Sequence, residues 1–220
     1  MSEPPIWIVK DKLNFKDLID REDHYISGWA CIIENWLLEP AQHLGGNGNR
    51  VTDRGISMLM LLLSFFEPLG SILSGKDSDG ASKSTFVSGF EYFSQWLKQR
   101  GSDFEIDAAI VFSFARCGLM HSFTMQGGQI FIDAFGVGKT SMGKRDFAMK
   151  HTTKKPAGVS ESSCIYLIDP WRLLVEVKDF CGDFCKKLES SKEDGTELYA
   201  NFKKTFERTI VDPGKVYLSK

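Results

Sequence analysis

The stretch that most constrains this chain runs from Phe104 to Met125, where an apolar helical pattern meets two ionisable side chains. Its first half predicts an amphipathic helix, with a buried face made by Ile106, Ala109, Ile110, Phe112, Ser113 and Phe114. Arg116 and His121 follow within the same run. Because a guanidinium or an imidazole in an apolar layer requires a partner, this stretch is the main candidate for a functional site.

The composition indicates one compact domain over residues 1–220. An apolar fraction of 42% and 17 Phe can form a real core, which excludes global disorder. A net charge of -2 argues against nucleic-acid binding over the whole surface, although a local basic patch remains compatible with it. The five cysteines are scattered and form no CxxC pair, which is typical of reduced thiols.

Hydrophobic spacing predicts several further helices. The first runs from about Phe15 and is stopped by Glu39 and Pro40, with Trp29 and Trp36 as core anchors. The others span about 52–73 with a kink at Pro68, 84–100, 104–125 after a cap at 101–103, 169–188 and 195–209.

Strand-like alternation appears at 129–135 and 164–168, and a third strand is expected near 145–150. We therefore expect a small antiparallel β insertion, with a basic loop, over residues 126–168. The predicted fold class is mainly α, a helical bundle that carries this insertion.

The chain is expected to be a soluble cytoplasmic protein without a membrane partner. Its first ten residues contain an acid and two prolines and do not resemble a signal peptide. The most apolar run, residues 56–66, is too short to span a bilayer and is interpreted as a core helix.

The residues FARCGLMH, 114–121, resemble the motif of the HEPN superfamily, an arginine and a histidine with four to six residues between them. Arg116 and His121 match with four between, and the helix order resembles the family over about residues 15–190. The resemblance implies a helical bundle that pairs as a two-fold homodimer. It also implies a metal-independent endoribonuclease of the toxin–antitoxin kind, with RNA as substrate and a cognate antitoxin or other protein as partner.

The chemistry of RNA cleavage explains these residue types. His121 can act as general acid or base near neutral pH, and Arg116 offers a planar fork for the phosphate and its transition state. Residues five apart lie about 140° apart around a regular helix. A shared site therefore needs a distortion, for which Gly118 is suited, or a second copy of the chain.

A basic loop follows the motif. From Gly136 to Gly158 the sequence has six basic residues against one Asp. Such a loop can guide a phosphate backbone, although a solvated hairpin face is the alternative. The candidate binding residues are Lys139, Lys144, Arg145, Lys150, Lys154 and Lys155.

The alternatives left open concern catalysis. Active family members usually have Asn, His or Asp directly after the arginine, whereas this chain has Cys117, a poor hydrogen-bonding substitute. The chain is therefore either a ribonuclease or a catalytically inactive HEPN-like module that binds RNA, a nucleotide or a protein. In a third interpretation Arg116 and His121 only join helix ends through carbonyls or a carboxylate.

No metal or cofactor is expected. Cys181 and Cys185 lie four apart on a predicted helix, but two further zinc ligands (Cys164 or His151 were considered) occur at no known spacing. A P-loop around Lys139 is disfavoured because Asp133 stands where the pattern requires glycine.

Overall fold

The computed structural model of the chain describes residues 20–45, 52–103, 105–113, 130–132, 146–153 and 163–213. These residues are mostly helical, which confirms the mainly α prediction. The α-helices are α1 (Tyr25–Ile33), α2 (Glu39–Gly45), α3 (Thr52–Leu63), α4 (Phe66–Ser74), α5 (Ser82–Gln99), α6 (Ala108–Ile110), α7 (Pro170–Asp194) and α8 (Glu197–Phe206). The strands are β1 (Ile130–Ile132), β2 (Ala148–Thr153) and β3 (Ser163–Ile168).

A π-helical turn at Glu34–Leu38 joins α1 to α2, so the predicted stop at Glu39 and Pro40 is wrong. The amide of Glu39 donates to the carbonyl of Glu34, five residues back. The wider turn lets the helix continue past Pro40, which has no N–H to donate. The same turn changes the helical phase, because Leu37 and Leu38 are buried while Trp36 is 52% exposed. The prediction of a core anchor is confirmed for Trp29 and wrong for Trp36.

Pro68 divides the second predicted helix into α3 and α4. The break lies at residues 64–65, one turn before the proline, where a helical Pro68 would leave the carbonyl of Ser64 without its usual donor. Phe65 donates to Leu62 there in a tighter turn. Together α3 and α4 make Arg54–Ser74 long and apolar enough to cross a membrane by length and composition, but 56% of this apolar stretch is buried inside the protein. That burial suits a core helix and is compatible with a soluble protein.

Helices α4 and α5 cross with their backbones in contact, because a glycine lies at each side of the crossing. A Cβ atom on Gly70 would lie 1.8 Å from the Thr85 carbonyl oxygen, and one on Gly89 would lie 2.0 Å from that of Phe66. Only glycine permits such an approach. The crossing brings Phe66 against Phe86 and Phe90 with ring centroids 5.8 and 4.9 Å apart.

Helix α7 packs against the aromatic residues of α5 and completes the core on that side. As predicted, Asp169 caps it by accepting hydrogen bonds from the amides of Trp171 and Arg172 at 3.0 and 3.2 Å, and Pro170 occupies the first turn. The helix continues to Asp194, beyond the predicted end near Leu188. Its buried apolar face is Leu173, Val177, Phe180, Cys181, Phe184 and Leu188.

The three strands form one mixed sheet in the order β1-β3-β2. Strands β2 and β3 are antiparallel, but β1 runs parallel to β3, so the prediction of a wholly antiparallel insertion is wrong. Alternation predicts which residues share a face of a strand, not the direction of its neighbour. Residues 133–162 between β1 and β3 are enough for the crossover that a parallel pair needs.

Candidate functional site

The predicted catalytic pair lies outside the described residues. Arg116, Cys117 and His121 belong to 114–129, for which the structure gives no placement. The same holds for five of the six predicted binding residues, Lys139, Lys144, Arg145, Lys154 and Lys155. Only the backbone of Lys150 is described, in β2 opposite Tyr166 of β3. These assignments therefore stay predictions.

The helix that leads to the motif is described, and it begins later than predicted. Asp107 caps it by accepting a hydrogen bond from the Ala109 amide at 2.7 Å, so the predicted cap at 101–103 is wrong. Ala108 and Val111 are its buried residues, whereas Ile110 and Phe112 of the predicted face are partly buried.

The Phe112 ring lies 5.3 Å from that of Phe86, centroid to centroid, which anchors this helix on α5. The described helix ends at residue 113, three residues before Arg116. The motif therefore follows directly from a segment that is fixed to the aromatic core.

A buried hydrogen bond joins the approach to this helix to the start of the sheet. The hydroxyl of Ser102 donates to the Asp146 carboxylate at 2.6 Å, and both residues are buried. Beside it the Asp169 amide donates to the Phe147 carbonyl at 2.8 Å. Since Asp146 lies within the basic stretch 136–158, the chain before the motif is in contact with part of the basic loop.

Helix α7 carries the two cysteines considered as metal ligands, and both are poorly suited to that role. Burial raises the pKa of the Cys185 thiol to about 11 and raises that of Cys181 further. A metal binds the thiolate, so this shift disfavours coordination. In the described part of the chain no three His, Cys, Asp or Glu residues are grouped to hold a metal ion.

A cleft of about 370 Å³ lies between α5 and α7, and we call it the α5/α7 cleft. Asp183 accepts hydrogen bonds from Arg100 Nη1 at 2.6 Å and from the Trp96 indole at 3.3 Å. Lys187 donates to the Tyr92 hydroxyl at 2.7 Å. These polar groups form hydrogen bonds with one another and join the two helices. Because they are already paired, they are poorly suited to bind a ligand.

A second cavity, of about 420 Å³, lies among α1, α4 and α8, and we call it the α1/α4/α8 pocket. Sequence reasoning did not find it. Its residues come from three distant segments and share no motif, so their apolar spacing only predicted core positions.

Comparison with family models, with curated proteins and with solved structures finds no match to this chain. The resemblance to the HEPN superfamily therefore depends on the motif and on the mainly helical architecture.

Proposed function

We propose that this chain is a cytoplasmic HEPN-like helical-bundle protein that cleaves RNA without a metal, through Arg116 and His121. The mainly α architecture supports this proposal, as does a motif that follows a helix anchored on Phe86. The observation that carries it is the Ser102–Asp146 hydrogen bond. It joins the approach to the motif helix to Asp146 of the basic stretch, and this contact supports a basic loop that guides an RNA backbone towards the motif.

In the proposed reaction a general base removes the proton of a 2'-hydroxyl, and that oxygen attacks the adjacent phosphorus. The bond from phosphorus to the 5'-oxygen breaks and a general acid protonates the leaving oxygen, which gives a 2',3'-cyclic phosphate and a 5'-hydroxyl end. His121 serves as the acid or base, because its ordinary pKa of about 6.5 allows both forms near neutral pH. Arg116 stabilises the charge that develops on the phosphate oxygens. Gly118, or a second copy of the chain, compensates for their separation of about 140° around a regular helix.

A cleavage assay on mixed-sequence RNA in the presence of EDTA tests this function. Arg116→Ala and His121→Ala should each abolish cleavage while the circular dichroism spectrum stays that of the wild type. Arg21→Ala and His43→Ala are matched controls, since both side chains are exposed and far from the motif in sequence. Cleavage that survives in both motif variants would contradict the proposal.

Cys117 favours a second candidate, a catalytically inactive module that binds RNA through the basic loop. Fluorescence anisotropy should then show salt-dependent RNA binding without cleavage, weakened in Lys144→Ala/Arg145→Ala. The control Lys83→Ala/Lys186→Ala removes two exposed cations elsewhere. A gain of cleavage in Cys117→Asn would identify this position as the cause of the inactivity.

We also propose that the chain acts as a homodimer with a cognate antitoxin or another protein as its regulator. A two-fold dimer brings two copies of the motif to one cleft, which gives each Arg116 a His121 to act with. Light scattering of the purified chain at several concentrations measures the dimer. A monomer at every concentration, together with full cleavage activity, would exclude it.

A further inference from the structure

The α1/α4/α8 pocket has the size and lining of a small-molecule site. Its volume of about 420 Å³ falls within the range of such sites. Its walls are mostly apolar and include Trp29, Ile32, Ile33, Ile72, Phe202 and Phe206. Such walls favour an apolar ligand body, and the polar groups among them decide which polar group the ligand carries.

The hydroxyl groups of the lining fall into two sets. Three of them donate their proton to a backbone carbonyl at 2.6 to 3.2 Å: Ser64, Thr205 and Thr209. The other two, Ser71 and Ser78, form no side-chain hydrogen bond in the part of the chain that the structure describes. The first set can therefore only accept from a ligand, whereas Ser71 and Ser78 can also donate to one.

Ser71 is the buried member of the second set. It is 5% exposed and belongs to α4, whereas Ser78 is half-buried in the loop that follows this helix. Among the described residues, the buried side-chain atoms that lack a hydrogen bond are Arg172 Nη1 and Arg208 Nε, so the unpaired Ser71 oxygen is not sealed inside the protein. Its hydroxyl is therefore open to the pocket that it lines. A buried donor without an acceptor costs free energy, and a ligand that brings an acceptor removes this cost.

The charged side chains of the lining already have partners. They are two acids, Glu67 and Asp77, and one base, Arg208. Arg208 Nε lies 3.4 Å from an Asp77 oxygen, and its Nη2 donates to the Lys76 carbonyl at 3.3 Å. Glu67 is also engaged in an interaction. A charged ligand would lose its hydration without gaining an unpaired counter-ion from these residues, so the lining favours a neutral ligand.

Arg208 adds a second unsatisfied donor to the lining. Although Asp77 is close, the buried Nε–H of Arg208 makes no hydrogen bond to any residue within the described ranges. Because this atom is itself buried, it acts on a ligand through its N–H dipole and not through direct contact. Unpaired buried donors are rarer in proteins than acceptors with a spare lone pair. The lining therefore requires an acceptor on the ligand more than it requires a donor.

Two π-helical turns border the pocket. Arg208 and Thr209 lie in the turn Glu207–Val211, and the turn Glu34–Leu38 begins directly after the lining residue Ile33. Single π-turns within α-helices occur frequently at functional sites. This observation is independent of the volume of the pocket and of its polar groups.

We propose that the α1/α4/α8 pocket binds a small, neutral and mainly apolar molecule that carries a carbonyl oxygen, such as a ketone. The hydrocarbon body packs against Trp29, Ile72 and Phe206. The carbonyl oxygen accepts a hydrogen bond from the Ser71 hydroxyl. This site uses no residue of the Arg116–His121 motif and does not depend on the proposed RNA cleavage.

A two-dimensional NMR titration of the full chain at pH 7 with three seven-carbon probes tests the selection of a neutral acceptor. Heptan-2-one should bind about tenfold more tightly than heptylamine, which is a cation at this pH, and than heptanoate, which is an anion. A preference for either ion would overturn the proposal, as would equal affinity for the three probes or no binding by any.

A first pair of variants tests the donor. Ser71→Ala should weaken heptan-2-one binding about fivefold, which corresponds to the loss of one neutral hydrogen bond. The variant should keep the wild-type melting temperature, because this hydroxyl bonds to no described residue. Ser74→Ala is the control, since Ser74 is an exposed serine of the same helix that donates to the Gly70 carbonyl outside the lining. Unchanged ketone binding in Ser71→Ala would overturn the proposal.

A second pair tests the location. Thr209→Trp places an indole at the exposed rim and should weaken heptan-2-one binding about tenfold or more, whereas Lys204→Trp, at an exposed position of α8 outside the lining, should not. Ketone binding that is equal in these two variants would overturn the proposal.

Discussion

Helix α5 packs against two neighbours in different ways. Towards α4 it presents Gly89, and backbone meets backbone at the crossing with Gly70. Towards α7 it presents large rings, with Phe93 and Trp96 each 5.4 Å from Phe180 between centroids. The α4–α5 crossing point has no side chain between the two backbones, although Phe66 packs on Phe86 and Phe90 beside it. At the α5–α7 interface, by contrast, large rings interlock.

The difference indicates where each interface can tolerate change. Side chains at the α5–α7 interface can move or lose atoms at a cost set by the cavity that remains. Backbone at the α4–α5 interface cannot yield without shifting a whole helix. The two interfaces should therefore fail under opposite substitutions, truncation at one and enlargement at the other.

The largest expected effect is at the aromatic interface. Phe180 is 1% exposed and contacts rings from α5 and α7 as well as Phe65, so Phe180→Ala leaves a cavity in the core. We expect the free energy of unfolding to fall by about 3–5 kcal/mol, measured by urea denaturation. Val175→Ala on the same helix is the control, because Val175 is 57% exposed and should change stability by less than about 0.5 kcal/mol. A loss of similar size in both variants would contradict the cavity explanation.

The next effect tests the backbone interface. In Gly89→Ala the added methyl would lie 2.0 Å from the Phe66 carbonyl oxygen, so α4 and α5 must separate. We expect a loss of about 2–3 kcal/mol in the same denaturation experiment.

Gly182→Ala is the control for this prediction. A Cβ atom at Gly182 in the middle of α7 meets nothing within 4 Å. This change should stabilise the protein by about 0.5–1 kcal/mol through helix propensity. A neutral Gly89→Ala would mean that the helices are not held at this separation.

The sequence predicts the aromatic side of this contrast but not the glycine crossing. The spacing of five residues predicts the buried face of α5: Phe86, Phe90, Phe93, Trp96 and Leu97. Four of them are fully buried, and Trp96 is only partly buried. Gly70 and Gly89 carry no such signal, because a glycine required for close approach looks like any other glycine until its neighbour is known.

The errors come from backbone features that a fixed sequence period does not describe. The π-helical turn that exposes Trp36 adds one residue to a turn, and a fixed period of 3.6 cannot represent it. The direction of β1 depends on the path of the chain between strands, which alternation does not encode. Arg116 and His121 stay a prediction from the motif, and the α1/α4/α8 pocket was missed because three segments must fold before it exists.

A smaller loss of stability is expected when a polar group of the α5–α7 interface is removed. Arg100 is 34% exposed, contacts Asp183 at 2.6 Å and lies 4.7 Å above the Trp96 ring. Arg100→Ala should lower stability by about 1 kcal/mol, because exposed ion pairs and cation–π contacts each contribute little.

Lys186→Ala is the matched control for the same carboxylate. Lys186 lies 3.5 Å from Asp183 but is 79% exposed. Its removal should be neutral within about 0.5 kcal/mol. Equal losses in the two variants would show that charge alone, and not the packing of Arg100 on Trp96, stabilises this end of the interface.

The smallest expected effect is a pH dependence of stability at the exposed ion pair of Lys203 and Glu22. It measures what an ion pair contributes to stability away from the aromatic α5–α7 interface. Lys203 of α8 donates to Glu22, and Tyr199 donates to the same carboxylate at 3.3 Å. The hydrogen bond from Lys203 is the main cause that lowers the pKa of Glu22 below its ordinary value of 4.5, and the bond to Glu22 raises the pKa of Lys203 above 10.5.

The folded state therefore binds Glu22's proton less readily than the unfolded state. The stabilisation that ionised Glu22 contributes is present above pH 4.5 and is lost as the pH falls through the lower pKa that Glu22 has in the folded state. The stabilisation that charged Lys203 contributes is present below pH 10.5 and is lost as the pH rises through the higher pKa that Lys203 has in the folded state. Because both side chains are partly exposed, Glu22→Gln should cost less than about 1 kcal/mol between these limits. Unfolding measured across pH should show this difference vanish in acid and shrink in high salt. The exposed Glu193→Gln should show none of it, and a pH-independent loss in Glu22→Gln would assign the effect to packing instead of charge.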